Sequence, residues 1–312
     1  VKTSEVTIAD LKASVLAVPP LATAADGSPS EAENRKIVAF LTAGGVTTLL
    51  YGGNANLYNL SLTAFPGLLD MLERIAPEAS WVIPSIGPDF GKAMDQVAVA
   101  RGHAFPTLMV LPSTGATSPA GVATGMRRLA DAFGRPLIAY LRADGYIRPV
   151  DIAALFADGA ISALKYAVVR RDPSDDAYLR AIVEAAGAER IVSGIGERPA
   201  VAHFRDFGLS SFTSGSVCVA PHLSTAILTA LKRGDSATAE ALRARFLPLE
   251  DLRDAHSPIA VLHEAVRLVG VAETGALQPF LSNLAVERHD EVGRVAQALF
   301  AENAAHAQSA AA

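Results

Sequence analysis

Ile161-Ser162-Ala163-Leu164-Lys165-Tyr166-Ala167-Val168-Val169 is a short, almost wholly apolar run with a lysine at its centre. Runs of this kind, apolar without alternation, make strands buried on both faces, as in a parallel sheet covered by helices. An ammonium in such a strand is costly to bury unless it is paired or its pKa falls until it stays neutral. A neutral amine in a dry pocket attacks carbonyl carbon, the first step of Schiff-base chemistry. The alternative is a lysine at the strand's end whose stem is buried while its head reaches water.

The same pattern repeats on both sides of this run. Strand-like segments are read at 14–18, 46–51, 81–84, 107–111, 136–140, 190–193 and 211–214. Helical segments fall between and after them, at 31–43, 62–75, 92–101, 120–133, 150–156, 175–186, 200–207 and 221–232. Ser30-Glu31-Ala32-Glu33 has capping-box spacing at the first helix, and Gly44-Gly45 ends it. Strictly alternating strands and helices imply a parallel sheet, and eight such units predict a (β/α)8 TIM barrel. An open dinucleotide-binding sheet would carry a Gly-rich turn after its first strand, where this chain has Pro19-Pro20. Beyond residue 234 the pattern is purely helical, at 236–246, 258–269 and 287–305, with an Ala-rich tail expected to fray. The expected organisation is a catalytic barrel over 12–233 and a C-terminal helical extension over 234–312 packed on it.

Composition narrows the function classes. Of 312 residues, 50% are hydrophobic and 19% charged, enough for a large core. A net charge of −5 gives no electrostatic footprint for nucleic acid. No apolar run approaches a membrane span, and Val1 to Glu5 shows no signal-peptide core, so a cytoplasmic protein is expected. A single cysteine, Cys218, leaves no disulfide framework. The seven histidines lack zinc-site spacing, and His256 and His263 are read as one exposed helix face. There is no P-loop and no Gly-x-Ser-x-Gly elbow. Neither a metal nor an organic cofactor is expected.

In a barrel, reactive groups stand at the C-terminal ends of the strands. Tyr140 ends the strand before Lys165 and is placed to relay protons to a carbinolamine; the alternative is a core tyrosine satisfied at the rim. Gly52-Gly53-Asn54-Ala55-Asn56 follows the second strand just ahead of a helix. Its small residues and N–H groups suit a carboxylate or phosphate. Ser193-Gly194-Ile195-Gly196 has the same character after the seventh strand, which keeps a sugar-phosphate site open.

With Tyr140 and Lys165 in place, residues 12–285 resemble the dihydrodipicolinate synthase/N-acetylneuraminate lyase family, the pyruvate-type class I aldolases. The family's strand-six lysine matches Ala163-Leu164-Lys165, and its strand-five tyrosine matches Tyr140. Its Gly-Thr-Thr-Gly-Glu loop falls on Gly52 to Asn56, and its Ser-Gly turn on Ser193-Gly194. Its eighth strand falls on Thr213 to Pro221, and Ser257-Pro258-Ile259 also fits. The resemblance implies that Lys165 forms a Schiff base with a 2-keto acid and Tyr140 relays protons. Gly52, Gly53 and Asn54 would hold the carboxylate, with Gly194 and Thr213 at the site, in a homodimer or homotetramer.

The departures are specific. Gly53 and Asn54 replace the loop threonines, so backbone N–H groups and the Asn54 amide would have to take over. Ser113-Thr114 stands where dihydrodipicolinate synthases carry a tyrosine pair. Tyr140-Leu141-Arg142-Ala143-Asp144 is closer to the Tyr-x-Arg-Asp style of the family's sugar-acid dehydratases. A keto-deoxy sugar acid therefore fits better than lysine biosynthesis, with Arg142 facing a distal carboxylate or else tied to Asp144. A non-catalytic keto-acid-binding or scaffold protein is the rival reading.

Overall fold

The computed structural model describes residues 1–311. Eight parallel strands follow one another around a ring: β1 Leu16–Ala17, β2 Thr48–Tyr51, β3 Trp81–Ile86, β4 Met109–Val110, β5 Leu137–Leu141, β6 Ile161–Tyr166, β7 Ile191–Ser193 and β8 Thr213–Ser214. β1 pairs with both β2 and β8, and a parallel bridge from Ser193 to Phe212 closes the ring between β7 and β8. The barrel helices are α2 Glu31–Ala43, α3 Phe65–Ile75, α4 Phe90–Ala100, α5 Pro119–Phe133, α6 Pro149–Ala157, α7 Ala177–Ala186, α8 Ala200–Phe207 and α9 Pro221–Lys232. Every strand and helix of the expected TIM barrel is present, because each strand is an apolar run covered on both faces and each helix buries a single stripe.

The structure departs from the sequence reading at four places. A short helix, α1 Ile8–Ala13, precedes the barrel, capped by Thr7. In the C-terminal extension, α10 Ser236–Ala244, α12 Pro258–Leu268 and α13 His289–Ala311 match the reading, but α11 Leu247–Ala255 was not foreseen. His256 ends α11, whereas His263 lies buried in α12 with Nε2 3.1 Å from the Leu21 carbonyl, so the two share no exposed face. The tail keeps its helix to Ala311 rather than fraying after Ala304; Ala312 is outside the described residues. Buried Asn303 anchors α13 by accepting the His222 and Leu223 N–H groups at 2.8 and 3.3 Å.

The outward face of β6 is fastened by Asp176, the N-cap of α7. Its carboxylate accepts the Tyr166 hydroxyl at 2.6 Å, the Leu179 N–H at 2.9 Å and an Arg170 N–H at 2.9 Å. Burial alone would raise this carboxyl's pKa; Arg170, Leu179 and Tyr166 together hold it below its ordinary value. Tyr166 is thus tied on the side of β6 opposite to Lys165, which fixes the strand whose preceding residue carries the amine.

Asp176→Ala strands the buried Tyr166 hydroxyl and uncaps α7, while Arg170 keeps its pair with Asp144, at a cost of about 2 kcal/mol. Thermal unfolding at neutral pH checks this, and an unchanged melting temperature would show the network to be idle. A depressed carboxyl contributes fully above its unfolded value of about 4 and loses its contribution as pH falls through the lower folded value. The gap between wild type and variant therefore closes in strong acid.

Candidate active site

Tyr140 and Lys165 are register partners on β5 and β6, and their side chains emerge on the same face. The Lys165 Nζ stands 4.2 Å from the centroid of the Tyr140 ring. Only 5% of the lysine and 8% of the tyrosine is exposed. No carboxylate among the described residues pairs with this lysine. Burial first, and then the Arg142 and Arg253 guanidinium groups, bring its pKa down to about 7. Burial pushes the Tyr140 phenol up, so it stays protonated, able to donate as well as accept.

Both side chains line a cavity of about 220 Å³ at the strand ends. Gly53, Asn54, Arg142, Gly194 and Thr213 line it as well, so the residues singled out in the sequence converge, with one exception. Gly52 lies behind the wall, where an added Cβ would meet Ser85 Oγ at 2.8 Å and Met109 Cε at 2.9 Å. Its role is to let the loop approach β3 and β4. The loop does not lead into a helix start either, since α3 begins only at Phe65. The Asn54 amide is already engaged: Nδ2 donates to the Val18 carbonyl at 2.8 Å. Arg142 is not tied to Asp144, whose carboxylate is taken by Arg170 at 2.7 Å. It stands beside the Tyr58 hydroxyl at the exposed rim, without a carboxylate partner among the described residues.

The sequence reading missed what α11 contributes. Glu250 and Arg253, three residues apart, face the same cavity, with Arg198 and Asp254 beside them. Glu250 is 4% exposed and accepts the Glu197 and Arg198 N–H groups at 3.2 and 3.0 Å. Glu197, wholly buried, accepts Ser214 Oγ at 2.9 Å and Ser224 Oγ at 2.6 Å. Burial and the neighbouring Glu197 carboxylate push Glu250 well up, so the pair retains a proton. Gly196, at φ 75°, makes room: a Cβ there would fall 2.1 Å from Glu250 Oε1. Glu250 thereby takes the Glu197 and Arg198 N–H groups that open the β7–α8 turn, which counts against a phosphate at that point. The available signal was Pro248 at a helix start, Glu250 in the first turn and Arg253 in the last.

A wider groove of about 620 Å³ runs between α4 and α5, but its lining holds no lysine and one charged residue, Asp89. Asp70, Glu73 and His103 come close enough to share an ion, yet none lines the lysine cavity. The chemistry lies with the smaller cavity.

A model of the dihydrodipicolinate synthetase family matches residues 14–299. The chain belongs to that family. It is 26% identical over 250 residues to a probable 5-dehydro-4-deoxyglucarate dehydratase of Allorhizobium ampelinum, covering 77% of this chain and 79% of the relative. The fold superposes on a dihydrodipicolinate synthase from Bacillus clausii with a TM-score of 0.82 at 19% identity, covering 95% of this chain and 99% of that one. It also superposes on the wild-type Ruminococcus gnavus sialic acid aldolase with a TM-score of 0.80 at 15% identity, covering 94% of this chain and 99% of that one. Membership makes the chain a lyase of the class I aldolase type.

Competitive acetylation with trace acetic anhydride, mapped by mass spectrometry, checks the state of the amine. Lys165 is expected to titrate near pH 7, below the ordinary range of a solvated lysine. A Lys165 that titrates with the surface lysines would mean the amine is solvated.

Proposed function

We propose that the protein forms a Schiff base between Lys165 and a 2-keto acid and then cleaves or dehydrates it, a keto-deoxy sugar acid being the substrate that fits best. The observation that carries this reading is the buried, unpaired amine against the Tyr140 ring. Nζ attacks C2 of the keto acid, and the carbinolamine loses water to give the protonated imine. That imine is the electron sink for a carbanion at C3. In an aldolase the C3–C4 bond breaks and C3 takes up a proton; in a dehydratase a C3 proton and the C4 hydroxyl leave as water. Hydrolysis of the imine returns the water and frees the lysine. Tyr140 is the proton relay, with its hydroxyl free of protein hydrogen bonds among the described residues. No metal or organic cofactor enters these steps.

Support for a sugar acid over the dihydrodipicolinate synthase substrate comes from Ser113-Thr114 and from Arg142. Ser113 gives its backbone N–H to the Tyr146 hydroxyl at 3.0 Å and brings no phenol to the site. Arg142, at the rim without an acid partner, suits a distal carboxylate. The match to a probable 5-dehydro-4-deoxyglucarate dehydratase agrees with a hydroxylated diacid. Altered residues in the carboxylate loop motivated a non-catalytic alternative, but the amine and phenol remain intact and adjacent, which favours catalysis. No helix among the described residues is long and apolar enough to cross a membrane. A cytoplasmic homodimer or homotetramer belongs to the same reading.

Borohydride reduction in the presence of pyruvate or a keto-deoxy sugar acid is expected to leave a mass adduct on Lys165 and none in Lys165→Ala. Failure across a broad keto-acid panel would sink the Schiff-base reading. Tyr140→Phe should still form the adduct while turnover drops by about 10² or more. Arg142→Gln should raise KM for a keto acid with a second carboxylate about ten-fold more than for pyruvate.

A further inference from the structure

Two cations in the cavity have no counter-ion. Arg198, which also lines it, is neutralised by Asp251 and Asp254 at 2.7 and 3.3 Å. Glu250 is consumed by Glu197 and by the backbone of the β7–α8 turn. Arg142 and Arg253 have no carboxylate within ion-pair distance among the described residues. Arg142 is at the exposed rim, whereas Arg253 is half-buried and held only by neutral acceptors. Its Nε reaches the Pro258 carbonyl at 3.2 Å, its Nη1 the Ser216 hydroxyl at 3.3 Å and its Nη2 the Asn54 Oδ1 at 3.4 Å. All three bonds are long, and they orient the fork without cancelling its charge.

The surroundings keep that fork open and fixed. A Cβ on Gly215 would fall 2.8 Å from Nη2 and 2.5 Å from Asn54 Nδ2, so only glycine leaves the guanidinium in place. Gly53, also on the cavity wall, has no side chain to cover it. Glu250, one turn earlier on α11, pins the helix to the N–H groups of Glu197 and Arg198. The result is a preorganised cation on the cavity wall beside Gly53 and Asn54, delivered from outside the barrel strands.

We propose that Arg253 is the receptor for the carboxylate attached to the reacting carbonyl, taking over from the loop hydroxyls that Gly53 and Asn54 lack. This rests on the Schiff-base reading, because it is the bond between Lys165 and C2 that places the C1 carboxylate deep in the cavity. A carboxylate one bond from C2 lies against the wall that Gly53, Asn54 and Arg253 share and meets the half-buried guanidinium, while the far end of the substrate extends to Arg142 at the rim. The site then selects 2-keto acids with an anionic group at each end. Asn54 is a positioning residue: it gives Nδ2 to Val18 and accepts Arg253 on Oδ1.

Pyruvate has a single carboxylate, and methyl pyruvate is its neutral counterpart, so the pair isolates this contact. Wild type is expected to give the borohydride-trapped Lys165 adduct at lower concentrations of pyruvate than of methyl pyruvate. In Arg253→Gln the half-saturating pyruvate concentration should rise about ten-fold or more, and the preference for pyruvate over the ester should vanish. Added guanidinium should restore part of it, and Arg253→Lys should fall in between. The pH midpoint of trapping should also move above that of wild type, since one of two neighbouring cations is gone. If wild type forms the adduct and Arg253→Gln keeps the wild-type preference, the Arg253 assignment falls while the Schiff-base reading stands. If wild type forms no adduct with any keto acid, the Schiff-base reading falls instead. A readout on the unmutated chain is independent of variant folding: pyruvate should shield Arg253 from phenylglyoxal. Equal modification with and without pyruvate would overturn the proposal.

Discussion

Burying an amine at the foot of a cavity that already holds two guanidinium groups leaves Lys165 with no acid to stabilise its charge. Desolvation and like charge act in the same direction, towards the neutral amine. That requirement shapes the surroundings. Every acid near the cavity is already committed: Glu250 to Glu197 and the β7–α8 turn, and Asp254 and Asp251 to Arg198. An unpaired carboxylate here would hold the ammonium in its charged, inert form. Keeping acids away from Nζ is as much a part of the site as the lysine itself.

The barrel explains why the amine can be held in such a place. Closure through β1, β8 and the Ser193–Phe212 bridge leaves the strand ends as the polar mouth of an otherwise apolar core. Tyr140 and Lys165 share a mouth because parallel register places them side by side, with no loop involved in their spacing. Tyr166, the next residue on β6, is bonded on the opposite side to Asp176, which sets the strand's position. The close approach of Gly194 brings the β7 turn over the same point: a Cβ there would lie 2.5 Å from the Tyr166 carbonyl.

The parts legible in the sequence are those that a local pattern encodes. Eight apolar runs separated by helical stripes were enough for the barrel, and a lysine in one run with a tyrosine ending the preceding run located the buried amine and phenol that meet in the cavity. What stayed hidden depends on tertiary contacts. α11 reads as a polar, proline-bearing link because Glu250, Asp251 and Asp254 interrupt its apolar stripe, and two of them are there to neutralise Arg198. Arg253 carries no local mark of function, since its significance comes from Asn54 and Ser216, remote in sequence. Gly52 misled for the opposite reason: a glycine in a suggestive loop was needed for packing against Ser85 and Met109.

Charge balance bears on substrate choice and on the order of events. Burial, with Arg142 and Arg253 repelling a proton, favours the neutral form of Lys165. A dianionic keto acid supplies two negative charges beside these same cations, so its arrival removes the repulsion once the amine is poised to attack. In the proposed reaction the iminium carries a positive charge that burial and the two guanidinium groups disfavour on the free lysine, and it forms where the substrate's own carboxylate is adjacent. A neutral ketone would give the iminium no such relief. On the proposed reading, preference for an acid at the reacting end follows from the electrostatics of the imine as well as from binding, and a second carboxylate would extend the same balance to the rim.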